Sequence, residues 1–274
     1  MDNRIGRSAR HRGSYPRTSS GPLFRSTRSR QGFFVTGTDT GVGKTLVACA
    51  LLRAHVARGM TAAGMKPVAT GITPGTPGDV EQLLAAANVT APREEVNPYG
   101  FAPPIAPHIA AQQAGVRIEI ERIERAFRAL ARRAQVVVVE GIGGFCVPLG
   151  GRSDTAQLAA RLGLPVVLVV GMRLGCLNHA LLATEAIAKR GLVLAGWVAN
   201  HIDPQMAAPT ENVEALRQSM AAPLLARVAH AWNPDPVEIA SRLNLAELIN
   251  GRALNGRVRS VRTRAIKSAR KRPI

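Results

Sequence analysis

Nine residues, Gly37-Thr-Asp-Thr-Gly-Val-Gly-Lys44-Thr45, combine glycines, a lysine and a hydroxyl in the order that phosphate chemistry needs. Glycines let backbone amides turn inward around phosphate oxygens, and a following helix adds its partial positive charge. Lys44 then meets the outer phosphates of a nucleoside triphosphate, and the Thr45 hydroxyl suits Mg²⁺. The apolar run GFFVT precedes the loop and LVACALLRAHVARG follows it, so the motif stands between a strand and a helix. Thr38 occupies the place where the common spacing has glycine, and Gly37 lies one residue earlier. The competing reading is a glycine turn that caps an ordinary helix.

Other groups end apolar runs in the same way. Lys66 closes AAGMK, Glu140 closes VVVVE and Asn200 closes LAGWVAN. In open α/β sheets ligands bind beyond the carboxyl ends of the strands, so all three are expected on the side of Lys44. Pro67 drives Lys66 into an extended conformation. A carboxylate directly after four valines is costly to desolvate without a cation, and Mg²⁺ is the obvious partner for Glu140. Each has a plainer alternative: solvent for Glu140 and Lys66, a turn for Asn200. Asp79 precedes VEQLLAAA and has Gln82 three residues on, which reads as a capping box. His108 and His179 have no companion ligands at metal spacing and read as structural. No G-x-S-x-G elbow and no paired Cys/His set is present, so nucleophilic hydrolase chemistry has no support.

The elements that must position these groups are legible as alternating runs. Strands are expected over residues 32–36, 62–66, 136–140, 165–170 and 194–200. Helices are expected over 45–58, 80–87, 118–133, 155–162, 179–190 and 210–220. VVVV and VVLVV are apolar on both faces, as in central parallel strands covered on each side. The βα alternation implies an α/β doubly wound, mostly parallel sheet of P-loop NTPase type with helices on both faces. The stretches GITPGTPG (71–78) and NPYGFAPPIAPH (97–108) are long Gly/Pro loops, of the kind that carry function.

Composition separates this core from its surroundings. The 274 residues carry a net charge of +18, of which residues 1–31 hold +7 and residues 251–274 hold +9, leaving +2 for 32–250. Three domains of behaviour are therefore expected: a disordered basic extension (1–31), a single catalytic domain (32–250) and a disordered basic tail (251–274). Nucleic-acid contact, if any, belongs to the tails. Three scattered cysteines, Cys49, Cys146 and Cys176, argue against a disulfide framework and fit a reducing cytoplasm. No apolar run approaches membrane-spanning length.

Six blocks in order, GTDTGVGKT, KPVATG, VNPYGFAPPIAPHIAA, VEGIGGFCVPL, VGMRLGCLNHALL and GWVAN, closely resemble the dethiobiotin synthase family of biotin synthesis. The resemblance runs from about Phe33 to Leu248. It implies a homodimer that closes the ureido ring of dethiobiotin from 7,8-diaminopelargonate, CO₂ and MgATP. One amine traps CO₂ as a carbamate, the carbamate oxygen attacks the γ-phosphate, and the second amine displaces phosphate. The family's pattern puts Lys44, Lys66 and Thr40 in catalysis. It puts Gly41, Val42, Gly43, Lys44, Thr45, Leu46, Asp79, Glu140, Gly141, Ile142 and Gly143 around ATP. Asn200 matches its adenine-reading position, and His201, Val228, Ala229 and His230 fall among its other nucleotide contacts. Thr45, Asp79 and Glu140 match its Mg²⁺ set. Thr40, Lys66, Thr70, Gly143 and Gly144 match substrate contacts, with Leu174, Gly175, Cys176 and Asn178 reaching the substrate carboxylate across the dimer. The chain departs from the pattern at Thr70, where many relatives carry Ser. It departs also at Gly41, where some carry Glu, and in VAHA (228–231), which lacks a common Pro.

Two other readings stay open at this level. A P-loop ligase amidating another carboxylate would need a glutamine amidotransferase, and little chain follows Leu248 to hold one. A partitioning ATPase using the tails on DNA would carry a second loop lysine, and Asp39 stands there instead.

Overall fold

A computed structural model describes residues 31–248 apart from Pro74 and Pro77. The expectations for residues 1–30 and for the tail beyond residue 248 lie outside the described residues. In chain order the elements are β1 (Gln31–Gly37), α1 (Lys44–Val56), β2 (Ala62–Met65), β3 (Val68–Thr70), α2 (Asp79–Ala86), α3 (Arg93–Val96), β4 (Tyr99–Phe101), α4 (Pro107–Gln113) and α5 (Ile120–Arg133). They continue with β5 (Val136–Glu140), β6 (Pro148–Gly150), β7 (Ser153–Asp154), α6 (Thr155–Leu162), β8 (Val166–Met172), α7 (Cys176–Lys189), β9 (Leu194–His201), α8 (Pro209–Ser219), β10 (Leu224–Val228) and α9 (Pro236–Arg242). Gln31, assigned to the extension by its composition, instead opens β1 and pairs with Val136.

Six strands form one sheet in the order β10-β9-β8-β1-β5-β2, every pairing parallel. The valine runs behave as expected of strands buried on both faces. Phe33, Val35, Val136, Val138, Val167 and Val169 pack with α1, α2 and α9. Their neighbours Phe34, Val137 and Val139 pack on the opposite face with α5 and α6, and Leu168 and Val170 with α7 and α8. The side-chain period of two thus sorts each strand between two helical layers.

Register decides which residues share the carboxyl edge. Val35 lies opposite Glu140 and Met65 opposite Val139, so Lys66, one residue beyond β2, arrives beside Glu140. Asn200 pairs with Gly171 on one side and Val228 on the other. All five expected strands and six expected helices are present; β3, β4, β6, β7, β10, α3, α4 and α9 add to them. Helix α7 starts one turn earlier than expected, at Cys176, because Gly175 adopts φ 92° and turns the chain into it. Cys49, Cys146 and Cys176 are unpaired. Among the described residues no helix is long and apolar enough to cross a membrane.

Candidate active site

The loop from Gly37 to Thr45 leaves β1 and returns as α1. Gly43 caps that helix at φ 89°, with no side-chain cap and no acidic residue in the first turn. The first amides of α1 are therefore unclaimed by the protein's own carboxylates, the arrangement that receives an anion. By contrast Asp154 caps α6 and Asp235 caps α9 through side-chain oxygens. A Cβ on Gly43 would stand 2.3 Å from Asn200 Nδ2, so only glycine fits both the conformation and the space. Asn200 donates from Nδ2 to the Val42 carbonyl (2.8 Å) and braces the loop from beneath. Lys44 is buried and donates to the Asp39 carbonyl (2.8 Å). Burial, then the charge of Lys66, lowers its pKa to about 8, although Glu140, Asp79 and Asp39 oppose the shift.

A cluster of four polar side chains closes the floor. Lys66, 2% exposed, places Nζ 2.5 Å from Glu140 Oε1 and 2.8 Å from Asp79 Oδ2, and donates to the Gly141 carbonyl (3.2 Å). Burial works to lower the Lys66 pKa, but Glu140 and Asp79 outweigh it, and the group is held above the usual lysine value. Burial works to raise Asp79, and Lys66 with the Thr45 hydroxyl outweighs it, holding the carboxyl below the usual range. The Thr45 hydroxyl lies 2.9 Å from both Asp79 Oδ1 and Glu140 Oε1. It has one proton for two acceptors. Glu140 Oε2 is buried with no hydrogen-bond partner, and such an orphan carboxylate oxygen is costly unless a cation meets it. One hydroxyl and two carboxylates are the hard oxygen donors that a divalent cation such as Mg²⁺ takes beside phosphate.

Asp79 corrects the reading of it as an N-cap. The helix begins at Asp79 itself, Gly78 is the capping residue, and Glu81 accepts from the Gly78 amide (2.9 Å). The Asp79 side chain is thereby released toward Thr45 and Lys66.

These groups line a cleft of about 870 Å³. Thr40, Gly41, Gly43, Lys44, Thr45, Leu46, Lys66, Thr70, Asp79, Glu140, Ile142, Gly143 and Gly144 all face it. Val42 is buried beneath the loop and does not line the cleft, and Gly141 contributes its carbonyl to Lys66. Asn200 and His201 end β9 at the same edge, behind the loop. Val228 is buried at the end of β10, and Ala229 and His230 beyond it are exposed. None of these three lines the cleft. Leu174, Gly175 and Asn178 are exposed outside it and Cys176 is buried in α7, so the chain does not bring this segment to the cleft.

Several residues escaped sequence reasoning. Asn97 donates to the Lys66 carbonyl (2.7 Å) while the Lys66 amide bonds to the Val96 carbonyl (2.8 Å), which fixes the backbone that aims the ammonium. Its position at the head of the second Gly/Pro loop was the available signal. Gln82, Val147 and the Pro104–Pro107 stretch line the cleft, the last as that loop's length suggested. The two Gly/Pro loops are tied together by Gly71 N to Pro103 O (3.1 Å) and Ile72 N to Phe101 O (3.1 Å).

A family model described as an AAA domain matches residues 31–235. The ATP-dependent dethiobiotin synthetase BioD of Nitrosospira multiformis is 53% identical over 218 residues, spanning 80% of this chain and 96% of that protein. That of Aromatoleum aromaticum is 54% identical over 217 residues, 78% of this chain and 96% of that protein. Among solved structures, a putative plasmid partition protein from Borrelia burgdorferi bound to AMPPNP superposes with TM-score 0.50 at 10% identity, covering 80% of this chain and 98% of that one. At such identity the likeness is of fold alone, and it agrees with the parallel sheet. With more than half of the aligned residues identical across almost the whole length of these relatives, the chain belongs to the ATP-dependent dethiobiotin synthetase family.

Proposed function

We propose that this protein uses ATP to close the ureido ring of dethiobiotin from 7,8-diaminopelargonate and CO₂. The observation that carries the reading is the pairing of two buried lysines with the phosphate loop on one side and Asp79 and Glu140 on the other. ATP lies with its phosphates against the amides of Gly41–Thr45 and the Lys44 ammonium. Asn200 has its amide nitrogen committed to Val42, so its carbonyl oxygen is the atom left to accept from the adenine amino group. Mg²⁺, when bound by Thr45, Asp79 and Glu140, neutralises charge on the triphosphate.

The cleft extends past the phosphates to Thr40, Thr70, Gly143, Gly144 and Pro104–Pro107, which leaves room for a second substrate. There one amine adds to CO₂ and loses a proton, giving a carbamate. A carbamate oxygen attacks the γ-phosphorus and ADP leaves. The second amine attacks the carbonyl carbon, loses its proton, and phosphate departs. Lys66, held protonated by its carboxylates, acts as a fixed positive charge for the carbamate and the transferring phosphoryl group, and such charges carry most of this kind of catalysis.

The segment Leu174–Asn178 is supplied by a partner protomer. Gly175 caps α7 at φ 92° with no side-chain cap and no acid in the first turn, the same free N-terminus seen in α1 and suited to the substrate carboxylate. The three unpaired thiols favour a cytoplasmic setting. ATP turnover measured with and without diamine and bicarbonate tests the reading. Hydrolysis should depend on both and yield the cyclic urea by mass. Diamine-independent hydrolysis with no such product would refute it.

A further inference from the structure

We infer that Arg173 is a positioning residue for the substrate-facing half of the phosphate loop, acting through Asp39. The inference rests on the ring-closing reading above. The loop is held in two separate ways. Its second half, Gly41 to Thr45, hangs on Asn200 through the Val42 carbonyl and the close fit of Gly43. Its first half, Thr38 to Thr40, is tied along β8 and the turn that follows it. Thr38 donates its amide to Val169 O (3.0 Å) and its hydroxyl accepts from the Gly171 amide (3.2 Å). Arg173 then reaches back to Asp39, with Nη2 2.5 Å from Oδ2.

Asp39 distributes that contact. Its second carboxylate oxygen accepts from the Thr40 amide (2.7 Å), and its carbonyl accepts from Lys44 Nζ (2.8 Å). With the Thr40 amide committed, the hydroxyl is the group it offers to the cleft, on the side where Gly143 stands. Both side chains of the ion pair are nearly half exposed (42% and 49%). Exposed pairs add little to stability, and a guanidinium fixes direction better than it fixes energy. The ion pair, made through the Asp39 side chain, therefore sets where Thr40 points; Asn200 holds the ATP half of the loop, and the Asp39 main-chain carbonyl reaches Lys44 without that side chain. Arg173 also directly precedes Leu174, so it links the loop of one protomer to the turn proposed to serve the partner's substrate.

Steady-state kinetics of the full-length chain test this, with diamine varied at saturating ATP and the reverse. Arg173→Gln is expected to raise KM for the diamine about tenfold while KM for ATP stays within about twofold. Arg173→Lys should recover part of the loss. The double variant Asp39→Asn with Arg173→Gln should be no worse than the weaker single variant, because both remove one link. Melting temperatures should fall by less than about 3 °C. The proposal is overturned by a native diamine KM in Arg173→Gln, by equal increases for both substrates, or by effects that multiply in the double variant. A wild-type chain with no diamine-dependent turnover would instead bring down the ring-closing reading, and this inference with it.

Discussion

An ammonium shared by two carboxylates is stable inside a protein because each charge replaces some of the water the others have lost. Lys66 sits in that position between Glu140 and Asp79, with its main chain pinned by Val96 and Asn97. It follows that Lys66→Gln should do two things. Turnover should drop about 10²–10³-fold, as when one preorganised donor to a developing charge is removed. ATP affinity by calorimetry should change little, because the amides and Lys44 are untouched. Near-normal turnover would remove Lys66 from its proposed role. Losing one partner of a fully buried pair costs about 3–5 kcal/mol, and Glu140 is such a partner, whereas the half-exposed Asp79 adds little; a thermal melt separates that loss from the kinetic one. Asp79 illustrates why single residues mislead when read alone. Asp followed three residues later by Gln suits an N-cap, yet the chain turned one residue earlier, at Gly78, and freed the carboxylate.

At the scale of elements, strand register aligns the chemistry. Because β2 and β5 run parallel with Met65 opposite Val139, Lys66 and Glu140 reach the edge together, while β1 runs two residues past Val35, the partner of Glu140, before it turns into the loop at Gly37. The far side of the sheet depends on β10 lying close to β9. Gly196 makes that approach possible, since a Cβ there would stand 2.6 to 2.7 Å from three carbons of Leu225. Gly196→Ala should accordingly destabilise the fold by about 1–3 kcal/mol through overpacking. It should also weaken ATP binding by shifting Asn200 on the same strand. Urea unfolding and calorimetry check both, and an unchanged midpoint would refute the packing argument. Strand β10 was missed in the sequence because LLARV is a short apolar run that periodicity cannot assign. Helices α3 and α4, with four and seven residues, are too short to show a period.

For the whole molecule, three of the exposed large apolar side chains fall together where the proposed partner would sit. Leu174 is 94% exposed, and Leu181 and Leu182 extend the patch along α7. Large apolar groups left in water on neighbouring turns mark an interaction surface more often than a monomer's skin. Leu182→Asp should therefore shift the chain from dimer to monomer in light scattering and reduce turnover, while each monomer still binds ATP. A wild-type chain that is monomeric and fully active would refute the shared site.

Features that depend on near neighbours are legible along the chain. The glycine loop between a strand and a helix, and the double-sided valine runs, follow from local backbone freedom and from burial. The resemblance extended this to a family. Which distant groups meet is settled by the folded sheet. Thr45 touches Asp79 and Glu140, 34 and 95 residues away, and Lys66 meets Glu140 across 74 residues. Arg173 meets Asp39 across 134. Such contacts are set by the register of parallel strands joined through crossover helices. A one-residue slip would turn every side chain to the other face, and no local pattern encodes that choice.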